Sequence, residues 1–175
     1  QAERVEASLS YRRGLQFVRQ EPQRGTAHAL LQAAPLFGEA TGNLLVLSGD
    51  VPGITPIILM QLADVHETTG AVATVLTAHL DQPFGYGRVL RRDGSFVGIV
   101  EEIDATPAQR LIREINSGIY IFSLRFLFEV LQQIPETGPK HERYLPAVLS
   151  LYQKRNLTVS TVCTKDSTAV DNCFQ

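Results

Sequence analysis

Short runs of valine, isoleucine and leucine alternate with segments of helical periodicity along this 175-residue chain. Leu44–Ser48 is a continuous apolar run of the kind that parallel sheets bury on both faces. After it, Thr55 is placed to cap a helix that reaches about His66, with Pro56 in its first turn. This alternation predicts an α/β domain in which helices cover both faces of a mostly parallel sheet.

The same patterns continue over the rest of the chain. A strong hairpin signal, Asp93-Gly94, separates two short apolar runs and predicts a β-hairpin insertion. The predicted strands are Leu15–Arg19, Leu44–Ser48, Val72–Thr77, Val89–Arg91, Phe96–Val100, Asn116–Phe122 and Leu157–Val162. The predicted helices are Ala2–Leu9, Thr26–Pro35, Thr55–His66, Thr106–Ile112, Leu124–Leu131 and Glu142–Lys154.

Composition excludes several classes of protein. Hydrophobic residues make up 44% of the chain and charged residues 19%, which is typical of one folded domain and not of a disordered chain. The net charge of −2 argues against nonspecific nucleic-acid binding. No apolar run approaches the roughly 18 residues of a membrane span. We therefore expect a cytoplasmic protein with neither a nucleic-acid partner nor a membrane span.

Cysteine and histidine carry no predicted chemistry. Two cysteines are too few for a disulfide framework or a cysteine-based zinc site. Cys163 lies on a predicted strand and is interpreted as a small buried hydrophobic residue. The four histidines, among them His66, lack metal-ligand spacing and are interpreted as surface or helix positions.

Small and polar residues follow the predicted strands, at the edge where open α/β sheets bind ligands. Asp50 comes directly after the Leu44–Ser48 strand and beside Gly49. A carboxylate at that place can hold Mg²⁺ together with a phosphate. It can equally serve the turn before Pro52. Both interpretations stay open at this point.

Gln20, Gly25 and Thr26 lie in the segment after the first predicted strand. A glutamine amide offers a donor and an acceptor that can match a base edge, and glycine lets the backbone approach a ligand closely. Thr26 is most simply a helix N-cap, although a free helix N-terminus also favours a phosphate. The alternative for all three is a polar surface loop.

Gly87, Glu101 and Asn116 lie near the ends of later strands. Glu101 ends an apolar strand, where a carboxylate can accept hydrogen bonds from sugar hydroxyls or simply be a solvated edge charge. Asn116 has the same ambiguity, and Gly87 taken alone is part of a turn. The chain has no Walker lysine pattern and no Gly-x-Ser-x-Gly elbow.

The order of these motifs is more specific than any one of them. The series closely resembles, over nearly all of the chain, the uridylyltransferase domain of the bacterial bifunctional N-acetylglucosamine-1-phosphate uridyltransferase/glucosamine-1-phosphate acetyltransferases. The resemblance implies a Rossmann-like nucleotidyltransferase fold, a three-layer sandwich. The motifs are Gln20-x4-Gly25-Thr26-x-His28-Ala29, Leu47-Ser48-Gly49-Asp50-Val51-Pro52, Leu80-Asp81-x-Pro83-x-Gly85-Tyr86-Gly87-Arg88, Gly98-Ile99-Val100-Glu101-Glu102-x-Asp104-Ala105-Thr106 and Arg113-Glu114-Ile115-Asn116-Ser117-Gly118-Ile119.

By this resemblance, three groups of residues would bind the substrates. They are Gln20, Gly25 and Thr26 for uracil; Ser48, Gly49 and Asp50 for the rest of the nucleotide; and Gly87, Glu101 and Asn116 for N-acetylglucosamine. Mg²⁺ would bind Asp50 and Asp171, which are also the implied catalytic residues. A register shift of one residue would put Asn172 in place of Asp171.

The implied reaction is uridylyl transfer from UTP to N-acetylglucosamine-1-phosphate, giving UDP-N-acetylglucosamine and pyrophosphate for peptidoglycan and lipopolysaccharide precursors. Two alternatives stay open. One is another sugar-1-phosphate nucleotidyltransferase. The other is a non-catalytic module that binds sugar nucleotides, which Ile103 and Cys173 favour because they stand where the family often has a cation.

Two parts of the family pattern have no counterpart in the sequence. One is the opening strand with its glycine-rich triphosphate loop and nearby lysine, and the other is the left-handed β-helix that carries the acetyltransferase site and forms the trimer. We therefore expect residues 1–175 to be a partial nucleotidyltransferase domain that lacks its first strand. Its parent would be a homotrimeric, multifunctional enzyme that is also an acyltransferase. By itself, this part is expected to be nearly inactive and to be less stable or to self-associate.

Overall fold

Six strands form one mixed sheet in residues 2–138 and 140–170, the parts of the chain that the computed structural model describes. The order is β4-β3-β5-β2-β6, and β1 pairs with β5 beside this path. The strands are β1 (Asn43–Val46), β2 (Ala73–His79), β3 (Arg88–Arg92), β4 (Ser95–Val100), β5 (Glu114–Ser123) and β6 (Val159–Thr164). The helices are α1 (Ala2–Leu9), α2 (Thr26–Gln32), α3 (Ala34–Phe37), α4 (Pro56–Thr69), α5 (Pro107–Arg110), α6 (Leu124–Leu131) and α7 (Ala147–Lys154), followed by the 3₁₀ helix Ser167–Val170.

The α/β fold class is confirmed, but the sheet is less parallel than predicted. Strands β1, β2, β3 and β6 run in one direction, as expected. Strand β5 runs against them and pairs with β1, β2 and β3, so each of those pairings is antiparallel. Within the described sheet, only β2 and β6 form a parallel pair.

Side chains of the central strands alternate between two separate cores. On β5, Tyr120 and Phe122 point to the core that α2, α6 and α7 complete, whereas Ile119 and Ile121 point to the core that α4 and the 3₁₀ helix complete. This alternation is the period of two that an extended strand imposes. It produces the three layers that the resemblance implies.

Local sequence signals set the predicted hairpin and the longest helix. Asp93 and Gly94 have φ values of 50° and 79°, the positive pair that a type I′ turn requires between β3 and β4. Thr55 accepts a hydrogen bond from the Ile58 N–H at the start of α4. That helix ends at Thr69, three residues beyond the predicted end, and Gly70 caps it in a left-handed conformation.

Two predicted strands differ from the structure because of their neighbours. Leu15–Arg19 forms no strand, and the described residues offer it no strand partner, so Leu15 and Phe17 remain 45% and 43% exposed. The Leu44–Ser48 run is a strand only over β1 and is not buried on both faces. Since β1 pairs only with β5 among the described strands, Leu45 stays 40% exposed.

The predicted helix at Glu142–Lys154 begins only at Ala147. The backbone N–H of Arg143 donates to the Arg24 carbonyl, and the N–H of Leu145 donates to the Thr26 hydroxyl. These bonds attach the segment to the residues around the start of α2 and use backbone N–H groups of Arg143 and Leu145 outside a helix. The following Pro146 also disfavours a helical conformation for the residue before it.

Burial corrects the interpretation of Cys163 and decides between the two alternatives for His66. Cys163 is exposed because β6 has a single described neighbour, β2. His66 lies on helix α4, one of the two predicted alternatives, and is buried. Its Nδ1 lies 2.9 Å from Thr74 Oγ1 and its Nε2 lies 3.2 Å from Asn43 Oδ1. No helix in the described ranges is long and apolar enough to cross a membrane.

The stability of the fold should depend on pH through His66. Burial lowers the pKa of His66 below its ordinary value, and the nearby Glu67 opposes this only in part. A depressed histidine pKa means that the unfolded chain binds the proton more tightly. The contribution of neutral His66 to the free energy of unfolding is therefore fully present above the pKa of the unfolded chain, about 6.5, and decreases as the pH drops below that value. Urea unfolding at pH 7.5 and 5.5 measures this loss.

The matched variants are His66→Gln and His79→Gln, the second at an exposed histidine on β2. We expect the pH-dependent loss to shrink in His66→Gln and to stay unchanged in His79→Gln. An equal loss in His66→Gln and the unaltered chain would contradict the assignment to His66.

Candidate functional site

A cleft opens where the edge of β5 passes from one neighbour to another. Strand β1 ends at Val46, opposite Tyr120, and β3 begins at Arg88, opposite Ile115. Between these points, residues 116–119 of β5 face no described strand on that edge. The cleft lies against this interval and comprises two adjoining cavities of about 540 and 190 Å³.

A bulge in β5 shapes the floor of the cleft. From Val75 to Thr77, β2 advances two residues while β5 advances four, from Tyr120 back to Asn116. Gly118 lies inside this bulge with φ of 77°, and a Cβ built there would be 2.6 Å from Ser48 Oγ. Glycine is therefore required at this position, both for its backbone conformation and for the close approach of Ser48.

The cleft brings together six of the residues that the sequence singled out. They come from different elements and line one or both cavities: Thr26, Ser48, Asp50, Gly87, Glu101 and Asn116. Gln20, Gly25 and Gly49 line neither cavity. Asp171, Asn172 and Cys173 lie outside the described residues.

Gly25 and Thr26 fasten α2 to the Arg143–Leu145 segment. Gly25, and not Thr26 as predicted, is the N-cap of α2, with φ of 84°. Thr26 follows it, and its hydroxyl oxygen accepts the Leu145 N–H at 2.9 Å. The predicted cap is wrong because this oxygen is used between segments and not within its own helix.

Gln20 holds the loop before α2. Its Nε2 lies 3.0 Å from the Gly25 carbonyl oxygen, to which it donates, and 3.0 Å from His28 Nδ1. The amide nitrogen therefore has a structural role in this conformation. None of the described residues donates a hydrogen bond to the Gln20 amide oxygen.

Glu101 is a partly buried carboxylate on the wall of both cavities. Its oxygens accept no hydrogen bond from any described residue. Burial raises the pKa of Glu101, and repulsion from Asp104 raises it further. A Cβ on the neighbouring Gly87 would lie 3.3 Å from Glu101 Oε2 and 3.0 Å from Ile99 Cγ2, so this position favours glycine. The result is an acceptor group on the wall of the cleft, to which none of the described residues donates a hydrogen bond.

Two cleft features were missed by sequence reasoning. Tyr120 lines the larger cavity, and Asn116 Nδ2 donates to its hydroxyl oxygen at 2.7 Å. The sequence signal was the separation of four residues between Asn116 and Tyr120, because an even separation places two side chains on the same face of a strand.

The second missed feature is Arg88, which is only 2% exposed. Its Nη2 lies 2.6 Å from Glu102 Oε2, and its Nη1 donates to the Tyr86 carbonyl. This ion pair ties the loop before β3 to the turn after β4, so Gly87 and Glu101 are held side by side. The signal was an arginine directly after a Gly-Tyr-Gly turn.

The described residues contain no group of three or more histidine, cysteine, aspartate or glutamate side chains that could hold a metal ion. Asp50 and Glu101 are the carboxylates that line the smaller cavity. Mg²⁺ is commonly held by one or two carboxylates together with phosphate oxygens of the substrate. The donor set fits a metal shared with a phosphate and does not fit a closed protein cage.

Comparison with known proteins gives a consistent result. Residues 2–167 match the family model described as "Nucleotidyl transferase". "Bifunctional protein GlmU" of Pelotomaculum thermopropionicum is 49% identical over 142 residues, which are 81% of this chain and 31% of that protein. "Bifunctional protein GlmU" of Syntrophotalea carbinolica is 45% identical over 166 residues, 95% of this chain and 36% of that protein. The chain spans about a third of the length of these curated relatives.

The fold also resembles that of solved structures. The crystal structure of UDP-glucose pyrophosphorylase complexed with UDP-glucose superposes with a TM-score of 0.65. The match covers 98% of this chain and 69% of the other, with 18% sequence identity. At this identity the likeness establishes the fold alone.

Substitution of Gly25 should destabilise the protein more than substitution of another glycine with the same φ. A Cβ at Gly25 would lie 2.6 Å from the Arg143 carbonyl oxygen, whereas one at Gly14, with φ of 80°, would meet nothing within 4 Å. Gly14→Ala should cost about 1 kcal/mol for its backbone conformation alone. Gly25→Ala should cost about 3 kcal/mol, because the steric clash adds to that conformational cost.

Urea denaturation of both variants measures this difference. Equal free energies of unfolding for Gly14→Ala and Gly25→Ala would contradict the tight contact between α2 and Arg143.

Proposed function

The chain belongs to the nucleotidyl transferase family, and we propose that the whole protein transfers a uridylyl group from UTP to N-acetylglucosamine-1-phosphate. The products are UDP-N-acetylglucosamine and pyrophosphate. The identity to the two GlmU proteins supports this reaction over other sugar-1-phosphate nucleotidyl transfers. The observation that carries the proposal is the convergence of Ser48, Asp50, Gly87, Glu101 and Asn116 on one cleft.

The reaction needs no protein nucleophile. An ionised phosphate oxygen of the sugar phosphate forms a bond to the α-phosphorus of UTP. The bond from that phosphorus to the bridging oxygen of the β-phosphate breaks, and pyrophosphate leaves with the electron pair. Because the attacking oxygen is already ionised, catalysis consists of positioning the two substrates and stabilising charge.

The sugar end of the substrate is assigned to Gly87, Glu101 and Asn116. No residue in the described ranges donates to the Glu101 carboxylate oxygens, so sugar hydroxyls can supply hydrogen bonds there. Gly87 carries no side chain that would press on Ile99 and Glu101, so Glu101 can keep this position. The Arg88–Glu102 ion pair keeps both groups in register for in-line attack.

The nucleotide end is assigned to Gln20, Gly25 and Thr26 for uracil, and to Ser48, Gly49 and Asp50 for the rest. The Gln20 amide oxygen is able to accept the N3–H of uracil, since its amide nitrogen alone is engaged in the protein. Thr26 and Ser48 line the same cavity, which supports a single continuous site for nucleoside and sugar.

The metal is assigned as Mg²⁺, held by Asp50 and Asp171, or by Asn172 in the shifted register. When bound, Mg²⁺ neutralises phosphate charge that develops during transfer. Asp50 lines the cleft. Val170, the last described residue, shares a core cluster with Val51, the neighbour of Asp50. This packing supports the pairing of the two chain segments that carry the proposed ligands.

For the whole protein we propose a second activity, acetyl transfer, and assembly as a homotrimer in the cytoplasm. The description of both relatives as bifunctional supports the second activity. The product would feed the synthesis of cell-wall precursors.

Titration calorimetry of the chain with UDP-N-acetylglucosamine tests the proposal. We expect saturable binding that is stronger than the binding of UDP-glucose, because the cleft is assigned to an N-acetylated sugar. Equal affinity for both ligands would contradict the assignment of the sugar, and a lack of binding to either would contradict the proposed function.

The affinity for UDP-N-acetylglucosamine should also decrease as the pH is lowered, because Glu101 becomes protonated. Its pKa is raised by burial and by Asp104, so the carboxylate becomes protonated at a higher pH than an ordinary glutamate. Binding by the ionised acceptor is complete above that raised pKa and decreases as the pH falls through it. Titrations between pH 8 and pH 5 should therefore show weaker binding at the acid end.

In Glu101→Gln the affinity should be lower at pH 8 by about tenfold, the effect of one charge-assisted hydrogen bond, and should lose this pH dependence. Glu39→Gln, at an exposed carboxylate outside the cleft, is the matched control and should behave as the unaltered chain. The same pH dependence in Glu101→Gln as in the control would contradict the role of this carboxylate.

A further inference from the structure

Tyr120 places a hydroxyl group at the wall of the larger cavity. The residue is 2% exposed, and its ring stacks on Phe122 with centroids 5.3 Å apart. It therefore has a fixed position in the core, and its hydroxyl contacts Asn116, which lines the same cavity. Neither the motifs nor the proposed function assign any role to it.

Hydrogen bonding fixes both the Asn116 amide and the direction in which Tyr120 donates. Asn116 Oδ1 accepts the Gly118 N–H at 3.2 Å, so Nδ2 is the end that meets Tyr120 Oη, at 2.7 Å. Tyr120 is thus the acceptor in that bond. A phenol has one proton to donate, and no described residue accepts it.

The Tyr120 hydroxyl keeps its proton at physiological pH. Burial raises the pKa of Tyr120 far above its ordinary value, although the Asn116 hydrogen bond acts in the opposite direction. The group is therefore a neutral donor next to a cavity. A buried donor without an acceptor is unfavourable, so an oxygen atom supplied by a ligand would stabilise the complex.

Glu101 complements this donor on the same cavity wall. Its carboxylate can accept hydrogen bonds, and within the part of the chain that the structure describes no residue, Tyr120 included, donates one to it. A ligand group that both accepts and donates satisfies the two residues together. Sugar hydroxyls and secondary amides do so, whereas an ammonium group can donate to Glu101 but cannot accept from Tyr120.

We propose that Tyr120 binds the sugar of the substrate directly, donating its hydroxyl proton to a sugar oxygen, and that Asn116 acts mainly by positioning this hydroxyl. The inference rests on the proposed function, since it takes the ligand to be a nucleotide sugar. It adds a residue that selects for hydrogen-bond acceptors at the sugar end of the cleft.

Removal of this hydroxyl should weaken the binding of the sugar and leave the nucleotide unaffected. In Tyr120→Phe, calorimetry should give about tenfold weaker binding of UDP-N-acetylglucosamine and unchanged binding of UDP. The matched control is Tyr152→Phe, a buried tyrosine of the same core that has no hydrogen-bond partner and lies outside the cleft. Both affinities should stay unchanged in the control.

A ligand series separates direct contact from a structural effect. The ligands are UDP-N-acetylglucosamine, UDP-glucose and the 3-, 4- and 6-deoxy forms of the first. For one ligand of the series, the changed substituent should weaken binding to the unaltered chain about tenfold relative to UDP-N-acetylglucosamine. In Tyr120→Phe, the same change of ligand should cause no further loss of affinity. If Tyr120→Phe acted only by changing the orientation of Asn116, the variant would weaken the binding of all five ligands by the same factor. The effects of the variant and of the ligand change would then be independent, that is, without coupling.

The outcomes are distinguishable. Unchanged binding of UDP-N-acetylglucosamine in Tyr120→Phe, an equal loss for UDP, or a lack of coupling across the series would overturn the inference while the proposed function stands. If the unaltered chain does not bind UDP-N-acetylglucosamine, the proposed function and this inference are both overturned.

Discussion

Strand β5 is the element on which both the fold and the cleft depend. It runs against its neighbours and holds β2 along one edge and β1 and β3 in succession along the other. Its side chains supply both cores by simple alternation. Where the second edge passes from β1 to β3, residues 116–119 have no described strand beside them. The cleft exists because β1 and β3 pair with separate parts of the same edge of β5 and leave the interval between them uncovered by a described strand.

Two ion pairs from β3, each with one buried partner, keep this arrangement in register. Arg88 binds Glu102 beside the cleft, and Arg91 binds Glu114 with two hydrogen bonds of 2.7 and 2.6 Å at the start of β5. Burial alone would raise the pKa of Glu114, but the bonds from Arg91 and Thr77 hold it below its ordinary value. A buried carboxylate with such partners stays ionised and fixes the strands that it joins.

Sequence reasoning succeeded where a local rule decides the structure. The type I′ hairpin at Asp93 and the capped helix after Thr55 follow from short-range chemistry, and six of the site residues implied by motif order line the cleft. It failed where a distant partner decides. Leu15–Arg19 has strand composition without a described partner, and Thr26 gives its hydroxyl to Leu145, 119 residues away. Spacing along β5 places Tyr120 near Asn116, but the direction of the hydrogen bond between them, on which the donor role of Tyr120 depends, cannot be deduced from spacing.

The central claim is that the interval between β1 and β3 along β5 is the binding site for a nucleotide sugar. A crystal structure of the chain with UDP-N-acetylglucosamine tests it most directly. The account predicts the sugar ring between Gly87, Glu101 and Tyr120, and the diphosphate next to Ser48 and Asp50. A ligand seated elsewhere, such as in the groove beside Lys154, would contradict it.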